Sequence, residues 1–308
     1  MKTILITAIG GDVSQSVASV IKESRAEIRL IGVDTHFDHA GPIFVDQFVK
    51  VPKATSVKYL EDIRKVIKKY SVDLIIPISE KELSVFKPLI QELGDKRCIT
   101  VGQKVLDIGL DKLKTIKAIE SLGIPVPWTV EADTGIPIEL PCIFKGQSGA
   151  GSKNIFIVDS YEEATFLSKK FPNSIFQELL NPSNKELTCA VYRKKDGETS
   201  VIQLLRKLVD GHTSWAKIIN DSKVLDMCNK IAKGLDLRGS MNIQLRLTKN
   251  GPRVFEINPR FSSTALMRHR MGFSDVMWAI DETDGKIINF PEIEIGISMV
   301  RVHGVEKI

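Results

Sequence analysis

The chain has 308 residues, 43% of them hydrophobic and 26% charged, enough apolar material for two domains or three small ones and too much for a disordered chain. Its net charge of +5 comes without any block of like charges, so bulk charge supplies no nucleic-acid footprint; Arg64, Lys65, Lys68 and Lys69 fall at helical spacing and read as a solvated face. Cys98, Cys142, Cys189 and Cys228 are dispersed, with no CxxC pair, there is no secretory leader, and no apolar stretch approaches the roughly 18 residues a bilayer requires, which together predict a reduced, cytoplasmic, soluble protein.

Residues 3–9 form a nearly continuous apolar run that ends in Gly10-Gly11, and a helical pattern follows over 14–24. Further apolar runs at 28–33, 48–51 and 74–78 alternate with helical patterns at 57–70 and 80–93. Apolar strands alternating with helices predict a parallel sheet covered on both faces, over residues 1–107. A dinucleotide site would need GxGxxG after the first strand and an acid about 20 residues later. Asp34 suits the acid, but the turn lacks the third glycine, so a nicotinamide-dependent reductase or binding module on residues 1–107 is the alternative from another class. His36, Asp38 and His39 lie loosely together without a full ligand set and read as a loop beside a cleft.

After residue 107 the pattern changes. Asp111-Lys112 opens a helix that stops at Gly123, before Pro125 and Pro127. A strand at 141–145 precedes the small-residue loop 146–152, then come a strand at 154–158, a helix at 161–170 and a strand at 174–179. Hairpins turn at 195–197 and at Asn250-Gly251. Hairpin strands with helices set apart predict an α+β unit.

The loop after Lys145 reads G-Q-S-G-A-G-S-K, which inverts the Lys and hydroxyl order of a Walker A loop and so argues against a P-loop. Its small residues let backbone N–H groups approach phosphates; the plainer alternative is a hairpin turn. Further on, Gln244 falls on the polar face of a half-buried strand. Across the Asn250-Gly251 turn, Val254, Glu256 and Asn258 are expected to share one face, Glu256 and Asn258 lying roughly 7 Å apart. One carboxylate and two amide oxygens make a hard-oxygen set for Mg²⁺ carrying phosphate oxygens, and the guanidinium fork of Arg260 suits a phosphate. The alternative is a hairpin with a solvated polar face.

Strand-borne Lys145 with its loop, Gln177-Glu178-Leu179-Leu180, Glu186, Gln244 and Glu256-Ile257-Asn258-Pro259-Arg260 occur in an order that resembles the ATP-grasp enzymes. The run from Phe255 to Ser262 is similar to the carbamoyl-phosphate-synthase large-subunit branch. The resemblance covers residues 103–290 and implies a parallel-sheet pre-ATP-grasp domain at 1–107 and an ATP-grasp domain at 108–308, with a small lid at 108–180 and a metal-site part at 181–308. It implies that Lys112 and Lys145 hold ATP phosphates. Ser148, Gly149, Gly151 and Ser152 would close over them. Glu178 with the backbone of Leu179 and Leu180 would grip adenine, and Glu186 the ribose. Gln244, Glu256 and Asn258 would hold two Mg²⁺ ions, with Mn²⁺ as a substitute, and Arg260 would stabilise the transferred phosphoryl group. Arg206 and His212 are further candidates for phosphate or acyl contacts. The implied activity is ATP-dependent ligation of a small-molecule carboxylate to an amine through an acylphosphate, in a homodimer as is common in the family. With one such motif set in the chain, the alternative is half of a carbamoyl-phosphate-synthase-like bicarbonate or carbamate kinase. Trp128, Trp215 and Trp278 read as packing residues.

Overall fold

The computed structural model describes residues 1–149, 155–302, 304 and 306. The first unit runs β1 (Thr3–Ile6), α1 (Asp12–Ser24), β2 (Arg29–Asp34), a short 3₁₀ turn (Gly41–Phe44), β3 (Gln47–Lys50), α2 (Tyr59–Tyr70), β4 (Leu74–Ile76), α3 (Glu80–Leu83) and α4 (Lys87–Leu93). Its strands are parallel, in the order β3-β2-β1-β4. Ile4, Ile6, Leu30, Leu74 and Ile76 face one buried cluster, and Leu5, Ile31, Val33 and Ile75 face another that includes Tyr59, Ile63 and Phe86. Both faces are therefore covered, and this explains why the strands read as unbroken apolar runs. The helix expected over 80–93 is two helices: Pro88 stands in the first turn of α4, where its missing N–H costs nothing, and it could not have continued α3.

Next come α5 (Gln103–Gly109) and α6 (Lys112–Ser121), then β5 (Thr129–Glu131), β6 (Cys142–Gly146), β7 (Phe156–Val158), α7 (Tyr161–Lys170) and β8 (Ser174–Glu178). Strands β5-β8-β6-β7 form a small antiparallel sheet backed by α7, with Cys142, Phe144, Phe176 and Leu167 in its core. The remainder is β9 (Glu186–Arg193), β10 (Thr199–Val209), β11 (His212–Ile219), α8 (Ser222–Gly234), β12 (Gly239–Thr248), β13 (Gly251–Asn258), α9 (Ala265–Arg270), α10 (Asp275–Thr283) and β14 (Ser298–Val300). These strands make a six-stranded antiparallel sheet ordered β13-β12-β9-β10-β11-β14. One face packs on α5, α6 and α8 through Leu106, Ile119, Cys228, Ile243 and Leu245. The other, through Ala190, Tyr192, Leu204 and Ile218, shares a core with the first sheet, α1 and Trp278 of α10. All four cysteines are free and buried. Among the described residues no helix is long and apolar enough to cross a membrane.

Under α9 and α10 lies a fully buried ion pair. Arg268 binds both oxygens of Asp275, at 2.8 and 2.5 Å, and also donates to Ser262 Oγ at 2.8 Å, while Ser240 donates to Asp275. Removing one partner strands the other charge in the core. Asp275→Ala should therefore destabilise the protein by about 3–5 kcal/mol in urea unfolding, with Arg268→Met combined with Asp275→Leu costing less than the sum of the single changes. A loss below about 1 kcal/mol for Asp275→Ala would contradict this reading.

Candidate active site

The site starts from the hairpin β12–β13. Its register sets Gln244 opposite Glu256 and Asn242 opposite Asn258, but Leu245 opposite Val254, so Phe255 is an extra, unpaired residue. This bulge breaks the alternation. Val254 joins Ile243, Leu245 and Ile257 in the core under the sheet, whereas Glu256 and Asn258 lie with Gln244 on the opposite face. Val254 therefore does not share the face of Glu256 as the period-two pattern predicted. The bulge also frees Phe255 from a paired position, and its ring centroid lies 5.8 Å from both Lys145 Nζ and Arg246 Cζ.

Three cations converge here. Lys145 follows Phe144 on β6; Phe144 turns into the small sheet's core and Lys145 turns the other way, towards Phe255. It is only 6% exposed and, among the described residues, has no carboxylate within 4 Å. Burial draws its ammonium down to about 8; Glu256 and Glu186 push it back up and Lys112 reinforces the fall. Lys112 stands at the start of α6, where Asp111 caps the helix by accepting from Lys114 N at 3.0 Å. Its Nζ donates to Gly149 O at 2.8 Å and lies 4.0 Å from Glu256 Oε1. Gln147 ties the loop entry to the same helix: its carbonyl accepts from Lys112 N at 2.8 Å and its amide donates to Asp111 at 2.9 Å. Gly149 has φ +102°, a conformation that favours glycine. The loop joins the antiparallel pair β6–β7, so it is a hairpin connection as well as a candidate phosphate cover. Gly151 and Ser152 lie outside the described residues. Arg260 donates to Asn258 Oδ1 at 3.2 Å and to Phe261 O at 2.9 Å, and one nitrogen lies 3.4 Å from Glu80 Oε1.

Two arginines directly opposed on the hairpin, Arg246 and Arg253, reach the segment that joins the two antiparallel sheets. Arg253 donates to Glu178 at 2.7 Å and to Val126 O, and Arg246 donates to Leu180 O at 2.7 Å and to Glu186 at 2.5 Å. Like charges facing each other across a ladder need counter-charge, and these glutamates supply it. Arg206 grips the other Glu186 oxygen, at 2.6 and 3.0 Å. Glu178, Leu180, Glu186 and Arg206 thus form one braced unit, with Leu179 between them on the connecting segment. His212 lies apart: its Nδ1 is 2.9 Å from Asp12 at the start of α1.

Sequence reading missed Glu80, Arg246, Arg253 and Phe255. The gathered donors are one carboxylate and two amide oxygens on one face, a set that a Mg²⁺ ion accepts when further oxygens come from a ligand. No group of three or more His, Cys, Asp or Glu side chains able to hold a metal occurs among the described residues. The first turn offers little to a dinucleotide: Asp34 is occupied by Gly10 N at 2.8 Å and Thr35 N at 2.6 Å, which leaves its carboxylate closing the turn and not facing a ribose.

A family model described as an ATP-grasp domain matches residues 110–264, half of the chain, and one described as a PylC-like N-terminal domain matches residues 4–101. The carbamoyl phosphate synthase large chain of Sulfurisphaera tokodaii is 25% identical over 215 residues, which are 61% of this chain and 20% of that protein. A carbamoyl-phosphate synthase of Methanobrevibacter smithii is 19% identical over 240 residues, 71% of this chain and 64% of that one. The chain thus spans between a fifth and just under two thirds of these curated relatives. Among solved structures, N5-carboxyaminoimidazole synthetase from Staphylococcus aureus complexed with ADP aligns with TM-score 0.76 at 17% identity, over 96% of this chain and 80% of that one. A biotin carboxylase complex from Campylobacter jejuni aligns with TM-score 0.73 at 16% identity, over 96% and 74%. At such identities the structural likeness speaks for the fold, and the family model speaks for membership: the chain belongs to the ATP-grasp family.

Proposed function

We propose that the protein is an ATP-dependent ligase that activates a small-molecule carboxylate as an acylphosphate and passes the acyl group to an amine, releasing ADP and phosphate. The observation that carries this reading is Lys145: a buried cation with no carboxylate within 4 Å among the described residues, facing Phe255 beside Lys112, Glu256 and Arg260. A cation left this way costs free energy unless an anion completes it, and a triphosphate is such an anion. Relatives bearing the names of carbamoyl-phosphate synthases, and neighbours solved with ADP, support the choice of nucleotide.

In this reading Lys145 and Lys112 receive phosphate oxygens, and Lys112 exchanges its Gly149 carbonyl for one of them. Gln244, Glu256 and Asn258 would hold Mg²⁺, which neutralises phosphate charge between them. Arg260 meets the phosphoryl group as the carboxylate oxygen attacks phosphorus. The loop entry at Ser148 and Gly149 covers the phosphates, and exclusion of water protects the acylphosphate from hydrolysis. Leu179 and Leu180 offer the braced backbone to adenine. Glu178 and Glu186 act through Arg253, Arg246 and Arg206 to fix the segment, with the second Glu186 oxygen still able to accept from a ribose hydroxyl. His212 serves the contact with α1. Four free thiols suit a reducing compartment, and we place the protein in the cytoplasm.

Phosphate release from MgATP, measured across a panel of carboxylates with and without amines, tests the activity. Stimulation by a carboxylate is expected; bicarbonate in the panel would reveal the kinase alternative, and stimulation by none would contradict the proposal. Glu256→Gln should lower Mg-dependent turnover by about 100-fold or more with unfolding midpoint preserved, and normal turnover would remove Glu256 from the site.

The depressed Lys145 adds a proton signature. With its folded value near 8 and its ordinary value at 10.5, the unfolded state binds more protons between those limits. For this group, stability of the free protein therefore rises with pH across that window. Phosphates favour the charged form, so nucleotide binding at pH about 8.5 should take up a fraction of a proton, fading below pH about 7. Calorimetry in buffers of different ionisation enthalpy measures this. Lys145→Met should abolish the uptake, and wild-type binding without uptake would contradict it.

A further inference from the structure

The proposed reaction needs a second substrate, and the first sheet shows where it enters. In the order β3-β2-β1-β4, the chain leaves β1 towards β2 on one side while β4 lies on the other, so the strand connections diverge between β1 and β4. Open parallel sheets bind ligands in that crevice, beyond the carboxyl ends of the strands. Here the crevice is flanked by the Gly10-Gly11 turn after β1 and by Ser79-Glu80 after β4.

The β4 end is rigidly built. Glu82, buried, accepts from Thr7 Oγ1 at 2.7 Å, Tyr59 Oη at 2.6 Å, Ser79 Oγ at 2.8 Å and Ser79 N at 3.1 Å. Thr7 Oγ1 in turn accepts from Ile78 N at 3.1 Å, which joins the ends of β1 and β4. Ser79 caps α3 by accepting from Glu82 N. This brace fixes the first turn of α3, which begins at Glu80. Its side chain is 10% exposed and reaches across to Arg260, 3.4 Å away. The contact is longer than a full charge-assisted bond of about 2.7–2.9 Å, and Oε2 accepts no hydrogen bond among the described residues. Outside a metal shell such a carboxylate repels a triphosphate, and Glu80 belongs to the first unit, not to the hairpin face that carries Gln244, Glu256 and Asn258. It suits a cation that must meet the activated acyl group.

We infer that Glu80 is the nucleophile-side residue of the site, receiving the ammonium group of the amine substrate in the β1/β4 crevice and taking its proton. This rests on the ligase reading above and narrows its acceptor to amines that arrive protonated. One ammonium proton passes to Glu80, which frees the nitrogen lone pair. The lone pair forms the C–N bond, the acyl C–O bond to phosphate breaks, and the second proton leaves with phosphate as hydrogen phosphate. Burial raises the carboxyl of Glu80 above its usual range, Arg260 and Lys112 oppose the rise, and Glu256 reinforces it, which suits a group that must accept a proton.

Hydroxylamine, uncharged at neutral pH, separates the roles because it captures an acylphosphate without surrendering a proton beforehand. With MgATP and a carboxylate that stimulates phosphate release, Glu80→Gln should lose amide formation with panel amines at least about tenfold more than it loses hydroxamate formation. Amide and hydroxamate falling equally, or neither falling, overturns the inference. If Glu80→Gln does not fold, judged by its unfolding midpoint and MgATP affinity, Glu80→Ala, which also removes the carboxylate, carries the same ratio test. A wild-type protein that makes no hydroxamate with any carboxylate of the panel overturns the ligase reading instead, a result distinct from an unchanged ratio.

Discussion

A lysine ammonium held out of water against a phenylalanine ring is the constraint around which the site is organised. Lys145 can be there because β6 alternates, with Phe144 filling the small sheet's core and Lys145 projecting the other way. Phe255 can receive it because β13 carries one residue too many. Without that bulge the ring would hold a paired position and Glu256 would turn with Val254 into the core. A one-residue irregularity thus sets both the surface under the cation and the side on which Gln244, Glu256 and Asn258 project.

The same hairpin holds the two antiparallel sheets at a defined separation. Arg246 and Arg253 face each other; Arg246 takes Leu180 O and Glu186 at the connection between the sheets, and Arg253 takes Glu178 at the end of β8 and Val126 O ahead of β5. Removing Arg253 leaves Glu178 without its ion pair, and removing Glu186 leaves Arg246 and Arg206 without theirs, so the members of the brace depend on one another. Lys145 and the Gln244–Glu256 pair sit on different sheets, and the geometry between them depends on that brace. The modest surplus of basic residues that said nothing about function at the level of composition resolves into a few placed cations, with glutamates deciding which of them are neutralised by the protein and which are left for a ligand.

Much of this was legible in the sequence. The alternation of apolar runs and helical patterns up to residue 93, the Asn250-Gly251 turn, the Asp111 cap and the placing of Gln244 on a polar strand face each leave a local signature. The bulge does not: Val-Phe-Glu reads as ordinary alternation, and the extra residue appears only when β13 is laid against β12. Glu80 was hidden by distance, since about 180 residues separate it from Arg260 and nothing in its own neighbourhood marks it. Arg246 and Arg253 read as the solvated face of a hairpin until the connecting segment is placed over them. His212, whose chemistry invited a phosphate or acyl contact, pairs with Asp12 at the start of α1, a partner 200 residues away that nothing in its own neighbourhood marks. Pro88 was a plain signal that a helix must end, and the length of the apolar pattern overrode it.

The account depends on one chemical event, transfer of a phosphoryl group to a carboxylate oxygen. The direct measurement is isotope transfer: a substrate carboxylate labelled with ¹⁸O is incubated with MgATP and amine, and the released phosphate is analysed by mass spectrometry. The account predicts one labelled oxygen in the phosphate for each turnover. Phosphate free of label, with all the ¹⁸O retained in the carboxyl-derived product or in unreacted substrate, would contradict it.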